Sequence, residues 1–168
     1  MPGVSETERF RVIYDDHHAA ICAYFARRAA RDEVEDLAAE TFVVAWRKLP
    51  RRTEHPLPWL YAVAGKVLAN HRRKAARRGT LPADPATGDP AERVGGDRGL
   101  ARAFAELGER DREAICLVAW EGLSTTDAAR AAGCSAATFA VRLSRARKRL
   151  ARALEDPHTT TFAVPERI

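Results

Sequence analysis

The chain has 168 residues, and its 28 lysines and arginines exceed its 23 aspartates and glutamates, giving a net charge of +5. That length accommodates one medium domain or two small ones, and the positive charge favours a polyanionic partner. No apolar run approaches the roughly 18 residues of a membrane-spanning helix, and charged residues interrupt the N-terminus before a signal-peptide core develops. The sequence therefore predicts a cytoplasmic protein that does not insert into a membrane.

Cys22, Cys116 and Cys134 lie far apart in the sequence and show no Cys-x-x-Cys spacing. Neither a disulfide framework nor a zinc site is indicated, and we expect three reduced thiols that pack as small apolar groups. His18 and Cys22 lie one helical turn apart, but two ligands do not close a metal site and no second pair is evident. The sequence therefore predicts neither a bound metal nor a cofactor.

Two amphipathic helices are predicted in the first third of the chain. Apolar residues recur at three- and four-residue steps over 5–28 and again over 32–49, which is the period of a helix with one buried face. Asp32 is expected to cap the second helix. Asp36 and Glu40 lie beyond its first turn, where the helix dipole no longer accounts for acidic side chains. They indicate either a basic protein partner or a solvated acidic face.

A proline-rich loop and a basic helix follow. Residues 50–58 contain prolines that a helix interior excludes, because proline lacks the backbone N–H, and a third helix is expected to begin near Pro58 or Trp59. This helix ends in a cationic run over 70–78. Cations for phosphates and exposed rings for bases are typical of surfaces that bind single-stranded nucleic acid, and we expect Trp59 and Tyr61 to supply the rings. A buried Trp59 beside a solvated cationic face is the alternative.

Residues 123–150 predict a helix-turn-helix motif. Ser124 and Ser135 are the expected N-caps, and Gly133 is expected to end the first helix in the left-handed conformation. The second helix carries basic side chains away from its apolar positions, and such a helix fits the major groove of DNA. An ordinary helical hairpin with a solvated basic face is the alternative.

The predicted fold is all-α, with two small helical domains joined by a flexible linker, and the second domain contains the helix-turn-helix. The domains are expected over 5–78 and 98–155. Residues 79–97 are rich in glycine and proline without an apolar period, which predicts a linker with a random-coil span of roughly 25 Å. Residues 156–168 are expected to form a short tail.

Three motifs in this order resemble extracytoplasmic-function sigma factors, the minimal two-domain promoter-specificity subunits of bacterial RNA polymerase. The first motif, over 32–46, has an acid pair followed by Asp-Leu, Glu-Thr-Phe and Trp. The second is Trp59-Leu60-Tyr61 leading into the basic helix end, and the third is Glu121-Gly122-Leu123-Ser124 followed by the helix-turn-helix. The resemblance covers about residues 8–155. It implies a sigma region 2 domain over 5–78 and a sigma region 4 domain over 98–155.

The resemblance also implies three sets of functional residues. Docking on the polymerase β′ clamp helices is implied for Asp36, Leu37, Glu40, Thr41 and Phe42. Recognition and melting of the minus-10 promoter element are implied for Arg51, Arg52, His55, Trp59, Lys66, Asn70, Arg72 and Arg73. Reading of the minus-35 element is implied for Ser135, Thr138, Arg142, Ser144, Arg145, Arg147 and Arg149. Arg145 is the best candidate for a guanine edge, because arginine binds guanine through two hydrogen bonds.

The implied partners are the polymerase core, through its β′ clamp helices and β flap, and promoter DNA, with an anti-sigma protein as a further candidate. The chain departs from the family pattern at Ala140 and Val141. Neither side chain donates hydrogen bonds to bases, so we expect either an unusual minus-35 preference or a weaker dependence on that element. The sequence has no nucleophile motif and no glycine-rich phosphate loop, which predicts that the protein is not an enzyme. The alternative function is a stand-alone helix-turn-helix regulator, which would bind duplex DNA tightly without polymerase.

Overall fold

The computed structural model describes residues 6–50, 53–79 and 98–155. Within these ranges the chain forms α-helices and one short 3₁₀-helix, without a β-strand, which confirms the predicted all-α fold. None of these helices combines the length and the apolar character needed to cross a membrane. The predicted tail and, apart from Gly79, the predicted linker lie outside the described residues.

The first domain is built on long helices. Helix α1 spans Glu6–Ala26, a 3₁₀-helix spans Arg31–Glu33, and helices α2 and α3 span Val34–Lys48 and Pro56–Arg77. Each long helix turns one stripe inward, because its apolar residues recur with the helical period. The buried stripes consist mainly of Ile13, Ile21, Tyr24, Phe25, Val34, Leu37, Ala38, Phe42, Leu60, Val63, Val67 and Leu68.

The second domain contains the predicted helix-turn-helix. Helices α4 and α5 span Arg98–Ala105 and Glu109–Ala119, and helices α6 and α7 span Thr125–Ala131 and Ala136–Glu155. Helices α6 and α7 are the two helices of the motif, and α4 and α5 pack against α7. This arrangement leaves one side of α7 exposed along its length.

The turn between α6 and α7 follows from local sequence. Ser124 caps α6, because its hydroxyl accepts a hydrogen bond from the Asp127 N–H at 3.1 Å. Gly133 has a φ of 66°, the left-handed conformation that ends a helix and that glycine adopts without a steric penalty. Ser135 then caps α7 by accepting from the Thr138 N–H at 3.1 Å. All three turn predictions are therefore confirmed.

The starts of α2 and α3 differ from the sequence predictions. Asp32 lies in the 3₁₀-helix and does not cap α2. The carboxylate of Glu33 instead accepts a hydrogen bond from the Ala30 N–H at 3.2 Å. Helix α3 begins at Pro56 rather than near Pro58 or Trp59, because N–H groups in a first helical turn have no intrahelical acceptor and prolines fit there.

The two domains pack against each other and share one hydrophobic core. Helix α6 packs against α3, and Leu117, Leu123, Ala128 and Phe139 join the buried cluster of the first domain. We call this arrangement the closed form. The sequence did not predict it, because an apolar stripe indicates that a face is buried but not which element covers it.

We expect Gly133→Ala to lower the free energy of unfolding by about 1–2 kcal/mol, because a Cβ atom is disfavoured in the left-handed conformation. Urea denaturation followed by circular dichroism measures the change. Gly65→Ala is the matched control, since Gly65 lies in the interior of α3 and a Cβ atom there would be 3.5 Å from the Tyr24 hydroxyl, an ordinary contact. The control should not lower the free energy of unfolding, because alanine is favoured over glycine inside a helix by about 1 kcal/mol, and equal losses for both variants would contradict the role of Gly133.

Candidate polymerase- and DNA-binding surfaces

Helix α7 brings together four of the residues predicted to read the minus-35 element. Thr138, Arg142, Arg145 and Arg149 follow one another at steps of four, three and four residues, so they share one flank of the helix. Thr138 and Arg145 are exposed, whereas Arg142 is half-buried. Arg149 forms an ion pair with Asp111 of α5. Arg145 is thus the exposed guanidinium at the centre of this flank.

The other predicted minus-35 residues lie apart from this flank. Ser135 is engaged as the N-cap of α7. Ser144 and Arg147 are exposed, but they precede and follow Arg145 by one and two residues and therefore lie on other sides of the helix. Val141 is exposed and lies one turn before Arg145. Its methyl groups are available for contact with a thymine methyl group.

Helix α3 presents four of the eight predicted minus-10 residues on one face. Trp59, Lys66, Asn70 and Arg73 follow one another at steps of seven, four and three residues, which repeat the helical period. Trp59 is half-buried, and the other three are exposed. Arg73 donates a hydrogen bond to the side-chain oxygen of Asn70. A ring and two cations therefore lie along a single side of α3.

The remaining minus-10 residues are placed differently. Arg72 turns towards the second domain, where its Nη1 donates to the Glu109 carboxylate at 2.6 Å. His55 is exposed at the N-cap of α3. Arg51 and Arg52 lie outside the described residues. The closed form thus engages Arg72 in a contact between the domains.

The prediction that Tyr61 is exposed is wrong. Its side chain is buried at the contact between the domains, and its hydroxyl donates to Glu121 at 3.4 Å. Burial and the nearby Glu121 carboxylate raise the pKa of Tyr61 to about 12. The sequence pattern failed here because Tyr61 contacts Glu121, which lies between α5 and α6 in the other half of the chain.

A cleft lies beside the loop that precedes α3. Its volume is about 780 Å³, and residues 53–58 form one wall while α1 forms another. Leu123 and Asp127 of the second domain line it as well. In the closed form, the start of α6 therefore borders the loop that carries His55, one of the residues implied to recognise the minus-10 element.

The predicted polymerase-docking residues of α2 fall into two groups. Asp36 and Glu40 are exposed and one turn apart, as expected. Leu37, Thr41 and Phe42 are buried, and the Thr41 hydroxyl donates to the Leu37 carbonyl at 2.9 Å. The buried group holds α2 against the core, so only the two acids of the predicted set are available to a partner.

An aromatic groove adjoins these acids and was not predicted as a site. Phe10, Tyr14 and His18 of α1 line it together with Phe42 and Trp46 of α2. The rings of Phe10 and Trp46 pack edge to face, with centroids 4.9 Å apart. The side chain of Trp46 is 48% exposed. A large apolar surface that stays exposed within such a groove is typical of a site that contacts a partner. The sequence signal was present, since Trp46 closes the first motif.

Buried charges join the domains. Arg28 lies just after α1 and is 7% exposed. Its Nε donates to Glu113 at 2.9 Å and its Nη1 donates to Glu121 at 2.9 Å. Arg27 also pairs with Glu121. We call Arg27, Arg28, Glu113 and Glu121 the interdomain ion cluster.

The cluster satisfies a guanidinium that burial alone would disfavour. Burial opposes the charge on Arg28, but the Glu113 carboxylate and Tyr24 more than compensate, so the pKa of Arg28 lies above its usual value. The guanidinium carbon also lies 3.8 Å from the centroid of the Tyr24 ring, a cation–π contact. The side chain of Glu121 is only 1% exposed. Sequence reasoning missed this cluster, because nothing local marks Arg28 and Glu121 as partners.

A helical domain with an aromatic and cationic face, followed by a helix-turn-helix domain, defines a DNA-binding transcription protein. The family models agree with this division. Residues 13–78 match the model described as "Sigma-70 region 2". Residues 97–150 match the model described as "Sigma-70, region 4".

Curated relatives identify the family. The chain is 37% identical over 138 residues to "ECF RNA polymerase sigma factor SigF" of Caulobacter vibrioides, which covers 77% of this chain and 76% of the relative. It is 35% identical over 128 residues to "ECF RNA polymerase sigma factor SigC" of Mycobacterium tuberculosis, covering 69% and 67%. The chain therefore belongs to the extracytoplasmic-function sigma factors. It is an RNA polymerase sigma factor, which directs transcription initiation at promoters.

Solved structures share the fold. The sigma factor RpoE of Bartonella quintana, in complex with the anti-sigma factor NepR, superposes with a TM-score of 0.63 at 24% identity over 89% of this chain and 98% of that chain. CnrH in complex with the cytosolic domain of CnrY gives a TM-score of 0.61 at 25% identity over 87% of each chain. Each likeness extends over nearly nine tenths of this chain.

We expect Glu121→Ala to destabilise the contact between the domains by about 3–5 kcal/mol, because it removes one of the two carboxylates that pair with the buried Arg28 and the partner of Arg27. The radius of gyration from small-angle X-ray scattering should increase. Glu106→Ala is the control, since Glu106 pairs with Arg102 at an exposed position on the second domain and such pairs contribute at most about 1 kcal/mol. A radius of gyration that stays at the wild-type value in Glu121→Ala would contradict the role of the cluster.

Proposed function

We propose that this sigma factor uses three separate helices for three tasks. The acids of α2 dock on the polymerase core, the exposed face of α3 holds the parted minus-10 strand, and the flank of α7 reads the minus-35 element. The observation that carries the proposal is the exposed flank of α7, positioned by a capped and glycine-terminated turn. The protein acts where the bacterial polymerase acts, in the cytoplasm, as a binding factor without an enzymatic activity of its own.

The flank of α7 suits direct readout of a duplex. Arg145 is long enough to meet both acceptors of a guanine edge, whereas Thr138 and Arg142 are suited to phosphates that fix the register of the helix. Val141 adds an apolar surface one turn away. The minus-35 preference should therefore combine a guanine with a thymine methyl contact nearby.

The face of α3 suits a single strand. Lys66 and Arg73 supply positive charge for phosphates, and Trp59 supplies a ring beside them. Stacking of one base on an aromatic side chain contributes about 1–3 kcal/mol, which offsets the few kcal/mol that unstacking a base costs. The adjoining cleft beside residues 53–58 has room for a base.

The acids of α2 and the aromatic groove together form a docking surface. Asp36 and Glu40 are suited to a basic partner surface, and the exposed ring of Trp46 provides an apolar anchor beside them. Aromatic anchors at the centre of an interface commonly carry a large share of the binding energy. Charge complementarity at its edge adds specificity and speeds association.

The closed form must open for both promoter elements to be bound at once. The two elements are about 25 base pairs apart, or about 85 Å of duplex at 3.4 Å per base pair. In the closed form α6 packs against both α3 and α7, and packed helix axes are about 8–10 Å apart. Helices α3 and α7 are then within about 20 Å of each other. Opening also frees Arg72 from Glu109 and uncovers the cleft.

An anti-sigma protein is a further proposed partner. The structures of RpoE with NepR and of CnrH with the cytosolic domain of CnrY are complexes with such partners. A protein that bound across both domains would hold the closed form and keep α3 from DNA. This proposal is supported by the packing of the two domains against each other in this chain.

Arg145→Ala should weaken binding to the cognate promoter by about 1–3 kcal/mol, or about 5- to 150-fold, because a bidentate guanine contact is lost. Run-off transcription with purified core measures the effect, and affinity for core alone should stay at the wild-type value. Arg102→Ala is the control, since it removes the same charge from an exposed site on α4. Loss of core binding in Arg145→Ala would count against the assignment of α7 to DNA.

Asp36→Arg should lower the affinity for polymerase core by at least about tenfold, because it places like charges opposite each other at the proposed docking surface. Fluorescence anisotropy of the labelled protein titrated with core measures this affinity. Glu106→Arg makes the same charge change directly after α4 and should leave core affinity unchanged. Wild-type affinity in Asp36→Arg would show that the docking surface lies elsewhere.

A further inference from the structure

Three metal-ligating side chains converge between α1 and α2, outside the proposed DNA-binding surfaces. His18 and Cys22 lie one turn apart on α1, and Glu35 lies in the first turn of α2. The Cys22 Sγ is 3.6 Å from the His18 Nε2 and 3.9 Å from the Glu35 Oε1. The His18 Nε2 is 3.7 Å from the Glu35 Oε2. One nitrogen, one sulfur and one oxygen are thus within 4.8 Å of one another.

These separations resemble the edges of a tetrahedral zinc site. Zinc lies about 2.0–2.3 Å from nitrogen, oxygen and sulfur ligands, so neighbouring ligands in a tetrahedron are about 3.3–3.8 Å apart. Of the three distances between the side chains, 3.6 and 3.7 Å fall within this range and 3.9 Å lies just above it. Small side-chain rotations therefore suffice to close the three ligands on one ion.

The imidazole is already held in place. The His18 ring stacks on Phe42 with centroids 5.9 Å apart and an interplanar angle of 27°. Its other neighbour is Tyr14, at 4.8 Å between centroids. A ligand whose rotamer is fixed by packing loses little conformational freedom on binding. The fold thus supplies a preorganised histidine beside a cysteine and a carboxylate.

The ligand set favours one class of ion. A thiolate and an imidazole suit zinc and its neighbours among the divalent transition metals, whereas calcium and magnesium take oxygen ligands. Glu35 is exposed, so solvent can reach the fourth position of a tetrahedron. Cys116 is not a competing ligand, because it is buried away from this cluster.

We propose that His18, Cys22 and Glu35 form a site for a zinc-class divalent transition-metal ion, with water or an external ligand in the fourth position. The bound ion links α1 to α2 at one end of the aromatic groove. The sequence alone gave only the pair on α1, and the fold adds Glu35 as the third ligand.

Metal occupancy would also change the proposed docking surface. Glu35 precedes Asp36 in α2, and a bound Zn²⁺ would neutralise its negative charge, because the two positive charges of the ion balance one thiolate and one carboxylate. Affinity for polymerase core should then fall. This consequence rests on the proposed docking role of α2, whereas metal binding itself does not.

Titration of the metal-free full chain with Co²⁺ tests the site. We expect one equivalent to bind and to give a thiolate-to-cobalt charge-transfer absorption, which Zn²⁺ then removes by displacement. Cys22→Ser should abolish this absorption, and His18→Ala and Glu35→Gln should weaken the affinity by more than about tenfold. Circular dichroism verifies that each variant folds, and if Cys22→Ser does not, the two variants that keep the thiol decide.

Two matched controls remove the same types of side chain outside the site. Cys134→Ser removes another half-buried thiol, and His17→Ala removes the neighbouring half-buried imidazole. Both should bind Co²⁺ as the wild type does. Absence of the thiolate absorption in the wild type, or its persistence in Cys22→Ser, would overturn the proposed site. Core affinity that is equal with and without Zn²⁺, while the Co²⁺ titration succeeds, would overturn only the consequence for docking.

Discussion

The closed form of this sigma factor depends on the carboxylates that pair with one buried guanidinium, that of Arg28. A charge removed from water inside a protein costs several kcal/mol unless partners surround it. Arg28 is satisfied by Glu113 and Glu121, each at 2.9 Å, and both carboxylates belong to the second domain. The charge at the end of α1 is therefore paired only while the domains are packed. The same contact buries Tyr61 and seats the start of α6 beside the cleft.

The interdomain ion cluster favours one packing of the two domains but still allows them to separate. Removing one partner leaves a buried charge without that counter-charge, whereas separating the domains lets water solvate both sides, so the ion pairs oppose opening less than a single deletion would suggest. A partner shifts such an equilibrium only by its difference in affinity for the two forms. Under the proposed function, polymerase core with promoter DNA would favour the open form, because it would bind both promoter elements at once. A protein bound across the domains would favour the closed form.

Local sequence was sufficient to predict the two helices of the helix-turn-helix and the turn between them. Ser124, Gly133 and Ser135 act through their own backbone neighbours, so their roles could be predicted from spacing. Tyr61 and Arg28 could not be placed in the same way, because their partners lie at Glu113 and Glu121, in the other domain. The start of α3 was displaced by two residues for a smaller reason, since prolines fit throughout a first helical turn.

The proposed functional surfaces also combine features that the sequence predicted with features that only the fold revealed. The minus-35 and minus-10 residues were implied by the family resemblance, and four of each set share one side of α7 or α3 because their spacing repeats the helical period. Their binding roles stay predictions. On α2 the family motif mixed exposed acids with the buried Leu37, Thr41 and Phe42, because a motif records what a fold needs as well as what a partner touches. The third member of the cluster around Cys22 became visible only when α1 and α2 were packed side by side.

The most direct test of the requirement for opening is a distance between α3 and α7. One donor and one acceptor dye on exposed positions of these helices, such as Lys74 and Lys148, report that distance by single-molecule energy transfer. The free protein should give a single population at short distance, and the complex with polymerase core and promoter should give a population longer by several tens of ångströms, as the separation of the promoter elements requires. A transcribing complex that retains the short distance would contradict the need for opening.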